Sequence, residues 1–275
     1  MADQDVLQER DGAVVTLTLN RPDRLNAWTY DLGDRYFDLL DEADADPGVR
    51  VIVVTGAGRG FCSGMDGDVL AVTSSNDPSK RRMPAKDRRM THATSIRKPI
   101  IGAINGPCAG FGLVQALHFD VRIAAQSAFF TTAFLQRGLN AEYGSSWLLP
   151  RIVGHARALD MILSGRRVGA AEAERIGLVA QVVPDAELMT AALAYARNVA
   201  AQCSPIALAD AKLQIYTDWE TDLVTAEDRA KHLGHAPGHR VDFAEGVAAM
   251  RERRAPNFAP LPAGRDPVQE ELRRK

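Results

Sequence analysis

The chain has 275 residues, of which 46% are apolar and 25% charged, with a formal net charge of −2. That length carries one large α/β domain or a core with a smaller C-terminal part, and the near-neutral balance excludes a general attraction to nucleic acid or an anionic membrane. Three scattered cysteines, Cys62, Cys108 and Cys203, exclude a disulfide framework and a zinc site, and their odd number fits a reducing compartment, read here as the cytoplasm.

The acidic start Met1-Ala2-Asp3-Gln4-Asp5 lacks signal-peptide character, and no apolar run approaches the roughly 18 residues of a membrane span. Residues 13–19 are β-branched and partly alternating, which predicts a strand ended by the turn Asn20-Arg21-Pro22-Asp23. A helix of about four turns follows, with Leu32, Tyr36, Leu39, Leu40 and Ala43 at three- and four-residue spacing. Residues 49–54 form a continuous apolar run, as in a strand covered on both faces.

The turn Thr55-Gly56-Ala57-Gly58-Arg59-Gly60-Phe61-Cys62 invites a dinucleotide-binding reading. That reading fails on three counts. The motif does not follow the first strand, its last glycine falls at Cys62, and none of the five tyrosines has a lysine four residues on. The segment from Thr73 to Arg89 holds Lys80, Arg81, Arg82, Lys86, Arg88 and Arg89 against Asp77 and Asp87, which suits a solvated loop or helix and also a phosphorylated substrate.

Residues 100–114, Ile-Ile-Gly-Ala-Ile-Asn-Gly-Pro-Cys-Ala-Gly-Phe-Gly-Leu-Val, read as strand, glycine turn and helix start. A helix start has backbone N–H groups without an internal partner, so an N–H near Phe111 can stabilise a developing negative charge. A strand is expected at 120–125, a buried element at Phe129 and Phe130, and an apolar helix at 146–153 interrupted by Pro150. Helices are expected at 156–164, 170–176, 185–200, 205–216 and 241–254, with a strand at 179–183 and an extended 255–260. Strands thus crowd the first half and helices the second. Cys62 and Cys108 lack basic neighbours in sequence and read as packing residues, and His92, His118 and His155 as structural.

Leu19-Asn20-Arg21-Pro22-Asp23-Arg24-Leu25-Asn26-Ala27, the run from Val54 through Cys62-Ser63-Gly64-Met65-Asp66, residues 100–124, Leu149-Pro150-Arg151-Ile152-Val153-Gly154, residues 172–179 and residues 245–258 lie in this order along nearly the whole chain. In these motifs and their spacing the sequence resembles the crotonase, or enoyl-CoA hydratase/isomerase, superfamily. The resemblance implies an α/β fold with a spiral core of β-β-α repeats over residues 1–200. Over 201–275 it implies C-terminal helices that mediate trimerisation, often as a dimer of trimers.

It also implies an acyl-CoA thioester substrate and no metal or redox cofactor. The two backbone N–H groups holding the thioester oxygen would be those of Met65 and Phe111. Arg24 and Leu25 lie in the motif that approaches the adenosine phosphates, Ser63 and Asp66 flank the first oxyanion residue, and Arg253 would reach the nucleotide from a neighbouring subunit.

The sequence departs from the family at the two glutamates with which its hydratases activate water: those positions fall on Val114 and Phe134. Neither side chain carries a proton. Glu142, in Gly138-Leu139-Asn140-Ala141-Glu142-Tyr143-Gly144, matches the position where dienoyl-CoA isomerase and 4-chlorobenzoyl-CoA dehalogenase of the family carry a catalytic aspartate. The histidine and tryptophan that support dehalogenation are not evident at matching positions. Against Val114 and Phe134 a carboxylate would be desolvated and its pKa raised toward a useful range for a general base, the alternative being an ion pair with Arg137 or Arg151. The expected function is therefore acyl-CoA enolate chemistry with Glu142 as acid/base, against a non-catalytic acyl-CoA-binding or regulatory homologue.

Overall fold

The computed structural model describes residues 4–75 and 88–264. Most of the expected basic segment at 73–89 therefore lies outside the described residues.

Two sheets stacked along a spiral build the core. Strands β1 (Val6–Asp11) and β2 (Val14–Leu19) form an antiparallel hairpin, and β3 (Val51–Gly56), β4 (Ile100–Ile104), β6 (Val121–Ala125) and β9 (Gln181–Val183) extend it in parallel, in the order β1-β2-β3-β4-β6-β9. Short strands β5 (Cys108–Ala109), β7 (Phe129–Thr131) and β8 (Val168–Gly169) make a second sheet. Each turn of the spiral runs from a long strand to a short second-layer segment and then into a helix: β4, β5 and α3 (Phe111–Leu117) are one turn. The isolated bridges Trp28↔Met65 and Cys62↔Cys108 continue the second layer through the two preceding turns. They lead into α1 (Tyr30–Ala45) and α2 (Gly67–Thr73), so helix starts follow second-layer segments throughout.

The strand sequences explain the two-sided burial. All six residues of β3 and all five of β4 are buried, as expected for parallel strands covered on both faces. Alternate side chains go to opposite sides. Ile52 and Val54 join the core with α1 and α3, while Val51 and Val53 meet Ala192, Ala196 and Ala200 of α7 (Leu188–Gln202), whose small residues let the helix lie close to the sheet. Helix α1 is fixed at its start by Thr29, whose hydroxyl accepts from the Leu32 amide at 3.1 Å.

The remaining helices are α4 (Ser145–Val153), α5 (His155–Ser164), α6 (Ala170–Arg175), α8 (Pro205–Thr217), α9 (Leu223–Gly234) and α10 (Pro237–Glu252). Pro150 sits inside α4 without ending it, because the helix stops only one turn later at Gly154. The strand expected at 49–54 is shifted two residues, since Val49 and Arg50 are still completing the turn from α1: the Val49 amide donates to Asp46 O. The helix expected from 185 begins with a 3-10 turn at Asp185–Glu187, and that expected from 241 begins four residues earlier, at Pro237, whose lack of an N–H suits a first helical turn. Strand β1 escapes the sequence pattern because it is an edge, with only Val6 buried.

Candidate active site

Two helix starts converge. Segment 61–65 runs beside 107–111: the Phe61 and Cys62 amides both donate to Pro107 O at 3.1 Å, and the Ala109 amide donates to Cys62 O at 3.0 Å. On the other edge of 61–65, the Trp28 amide donates to Gly64 O at 2.7 Å and the Asp66 amide to Trp28 O at 2.9 Å. Because successive groups of an extended chain alternate in direction, the Met65 N–H between them faces away from Trp28. Across the gap, the Gly110 amide donates to Thr131 O at 2.9 Å and Gly110, at φ 50°, turns the chain so that Phe111 opens α3. Among the described residues neither the Met65 nor the Phe111 amide has a hydrogen-bond acceptor.

The two loops touch where side chains are missing. A Cβ on Gly64, which has φ +105°, would lie 3.1 Å from Ala109 O and 3.7 Å from Phe111 N. One on Gly112 would lie 2.2 Å from Cys62 O, so only glycine lets α3 seat against segment 61–65. Asp66 caps α2, accepting from the Asp68 amide at 3.0 Å and from Arg21 at 2.9 Å. Burial alone would raise its pKa, but these donors hold it below the usual value.

Two asparagines brace the glycine turn behind the site. Asn26 donates to Ala57 O at 3.0 Å and Gly60 O at 2.7 Å, while Asn105 donates to Gly56 O and Gly58 O at 2.9 Å. The turn that resembles a pyrophosphate loop thus spends its carbonyls on internal bracing.

In front of the two amides lies a cavity of about 140 Å³. Its lining includes Ser63, Gly64, Met65, Gly110 and Phe111 together with Tyr30, Leu70, Phe134, Leu139, Glu142 and Tyr143. Larger cavities, of about 530 and 470 Å³, lie among the C-terminal helices, but they border neither amide. Glu142 is half-buried, and burial raises its pKa above the ordinary carboxylate value. Arg137 donates instead to Ala133 O at 2.8 Å, and Arg151 donates to Trp147 O at 3.0 Å and lies over the Trp147 ring. Among the described residues Glu142 has no ion-pair partner, leaving a carboxylate with raised proton affinity at the cavity wall.

The loop carrying Glu142 has an unusual backbone. Tyr143 adopts φ 52° and Gly144 φ 79°, and the Tyr143 ring meets Phe111 edge-on at 5.1 Å. Phe111 in turn leans on Trp28 at 4.8 Å. Beneath, His118 ends α3 with no solvent exposure. Burial pushes its pKa down to about 4, opposed only by the backbone of Tyr143.

Met65, Phe111, Ser63, Phe134 and Glu142 therefore meet at one cavity. Arg24 is exposed on a 3-10 turn, near enough to Asp66 to lower its pKa, and Leu25 beside it accepts from the Ser63 amide at 3.0 Å. Val114 is buried one turn into α3, outside the cavity lining, and Arg253 is exposed at the left-handed end of α10. Tyr30, Leu139 and Tyr143 also line the site but escaped the sequence reading. For Tyr143 a signal existed in its position directly after Glu142. Cys62 and Cys108 are fully buried, and burial raises both thiols, Cys62 to about 12, as suits packing residues.

Comparison with known proteins finds relatives of one family along most of the chain's length. The profile of the enoyl-CoA hydratase/isomerase family matches residues 9–260. A Mycobacterium tuberculosis protein named "Probable enoyl-CoA hydratase EchA12" is 39% identical over 254 residues, covering 89% of each chain. The Escherichia coli 1,2-epoxyphenylacetyl-CoA isomerase is 36% identical, covering 92% of this chain and 97% of its own. A solved enoyl-CoA hydratase from Bacillus anthracis superposes with a TM-score of 0.84 at 31% identity, covering 93% of this chain and 99% of that one. With the whole spiral, both converging helix starts and the C-terminal helices inside these matches, the chain is a member of the enoyl-CoA hydratase/isomerase family.

Proposed function

We propose that the chain acts on an acyl-CoA thioester by proton transfer, with the Met65 and Phe111 N–H groups holding the thioester oxygen and Glu142 as the acid/base. The observation that carries this is the meeting, at one cavity, of two amides and a carboxyl that have no partner among the described residues, the carboxyl with a pKa raised by burial. Glu142 as carboxylate takes a proton from carbon adjacent to, or conjugated with, the thioester. The electron pair moves onto the carbonyl oxygen, where two fixed donors stabilise it at a site that needs no reorganisation. The protonated Glu142 then returns the same proton to another carbon of the conjugated system. Atoms and charge balance, and no water is consumed.

Isomerisation fits this chain better than hydration. Val114 and Phe134 stand where the family's hydratases place glutamates, and among the described residues the cavity lining holds no carboxylate besides Glu142. The E. coli isomerase among the relatives supports the same reaction class. The exposed Arg24 and Arg253 suit the phosphates of coenzyme A, Arg253 from a neighbouring subunit of a trimer. The binding reading needs no metal or redox cofactor.

The test is turnover of a panel of unsaturated acyl-CoA esters by the wild type and Glu142→Gln. A large fall in isomerisation with binding retained supports the mechanism. Brisk hydration of crotonyl-CoA refutes it, and unchanged turnover in the variant removes Glu142 from it.

A further inference from the structure

We propose that the acyl group taken by this site is a single six-membered ring, aromatic or cyclohexenyl, and that Tyr143 is the residue that confines it to that size. The proposal rests on the reading of the cavity as an acyl-CoA site. The first argument is volume. The cavity measures about 140 Å³, and an apolar protein cavity of about 150 Å³ takes up benzene. A ring fills that space, whereas a long alkyl chain overruns it and a four-carbon acyl group leaves much of it empty.

The second argument is the wall. Four aromatic residues, Tyr30, Phe111, Phe134 and Tyr143, line the space together with the aliphatic Met65, Leu70 and Leu139, and Tyr143, 38% exposed, stands at its open side. Aromatic rings pair best edge-to-face or offset, with centroids 4.5–7 Å apart. Tyr143 and Phe111 already stand edge-to-face at 5.1 Å and 86°. Phe111 cannot easily swing aside, because its other neighbour is the buried Trp28 at 4.8 Å. A guest ring therefore meets ring edges on one side, that of Phe111 braced by Trp28, beside an aliphatic remainder.

The third argument is the backbone of Tyr143. A bulky residue at φ 52° is held in a conformation that L side chains rarely adopt. With Gly144 also left-handed, the chain reverses just after Glu142, and both Glu142 and Tyr143 line the cavity. The strained turn thus supplies the base and the ring-limiting wall together.

The test measures dissociation constants of phenylacetyl-CoA, octanoyl-CoA, crotonyl-CoA and free CoA by calorimetry, on the full chain and on Tyr143→Phe and Tyr143→Ala. Phenylacetyl-CoA is expected to bind wild type at least about tenfold more tightly than either linear ester. Tyr143→Phe should keep that ratio, and Tyr143→Ala should erase it chiefly by gaining affinity for octanoyl-CoA. Should Tyr143→Ala fail to fold, as judged by its melting transition without ligand, Phe134→Ala opens the same cavity and is expected to shift the ratio in the same direction. Octanoyl-CoA binding as tightly as phenylacetyl-CoA to wild type overturns the ring assignment and leaves the acyl-CoA reading standing. A ratio unchanged in the opened variants overturns the role of the cavity wall. If no thioester and no CoA binds, the acyl-CoA reading falls and this proposal with it.

Discussion

Gly64 and Phe111 come so close that a single methyl on Gly64 would sit 3.7 Å from the Phe111 nitrogen and 3.1 Å from Ala109 O. The gap proposed to hold the substrate oxygen stays open because residue 64 has no side chain and adopts φ +105°. Gly64→Ala is therefore expected to lower kcat by about 10²-fold or more, the usual effect of losing one oxyanion donor. KM should change far less. Steady-state kinetics on the best acyl-CoA ester checks this, and a proportionate rise in KM alone would show that the gap only binds ground-state substrate.

Gly112 is constrained by packing, since its Cβ would lie 2.2 Å from Cys62 O. Gly112→Ala must push α3 away from segment 61–65. Overpacking of this kind destabilises by about 1–3 kcal/mol, so the melting temperature should fall by several degrees, with loss of activity in whatever fraction folds. Thermal denaturation of the purified variant reads it directly.

The raised pKa of Glu142 fixes the sign of a pH effect. A base works deprotonated, so kcat/KM should fall tenfold per pH unit on the acid side, starting above the ordinary carboxylate range. Glu142→Gln removes that limb and is expected to slow turnover by about 10²- to 10⁴-fold. Stability should move the other way. A carboxyl whose folded pKa is raised begins to oppose folding as pH rises past its unfolded pKa and does so in full above the folded one, so the glutamine variant should melt higher than wild type at neutral pH and not at acid pH. Differential scanning calorimetry at two pH values separates the cases.

His118 makes a second pH prediction. Its pKa falls from 6.5 to about 4 on folding, through burial. Between those values the unfolded chain binds a proton that the native one does not, so stability is lost as pH drops from 6.5 toward 4, by roughly 3 kcal/mol in full. His118→Gln should flatten this part of a urea-denaturation series. An unchanged slope would assign the acid sensitivity to other groups.

The parts legible in sequence are those in which local pattern and final environment agree. The all-apolar β3 and β4 and the spaced apolar residues of α1 declared themselves, and so did the glycine turn ending at Phe111. Strand β1 did not, because an edge strand with one buried residue carries no apolar pattern. Glu142 was found by its place in a motif, and its environment was anticipated in sign: burial raises its pKa. The rest of the cavity lining was not anticipated, since Tyr30 comes from a segment more than a hundred residues away from Leu139 and Tyr143 and only the spiral joins them. The left-handed Tyr143 could not be read at all, because nothing in a tyrosine's sequence context announces φ 52°.

Both proposed oxygen-binding donors belong to the main chain, so their identity is invisible to any experiment that swaps side chains at their own positions. Substituting Met65 by any residue but proline would leave its N–H in place, and an alanine scan would pass over the anchor while reporting every residue around it. Their removal calls for ester replacement of the amide linkage, or for a change at a neighbour such as Gly64 that shifts the backbone. The same property separates the two parts of the proposed site: exchange of Val114, Phe134 or Glu142 alters the proton chemistry while leaving in place an electrostatic fixture that, at its own residues, only proline would erase.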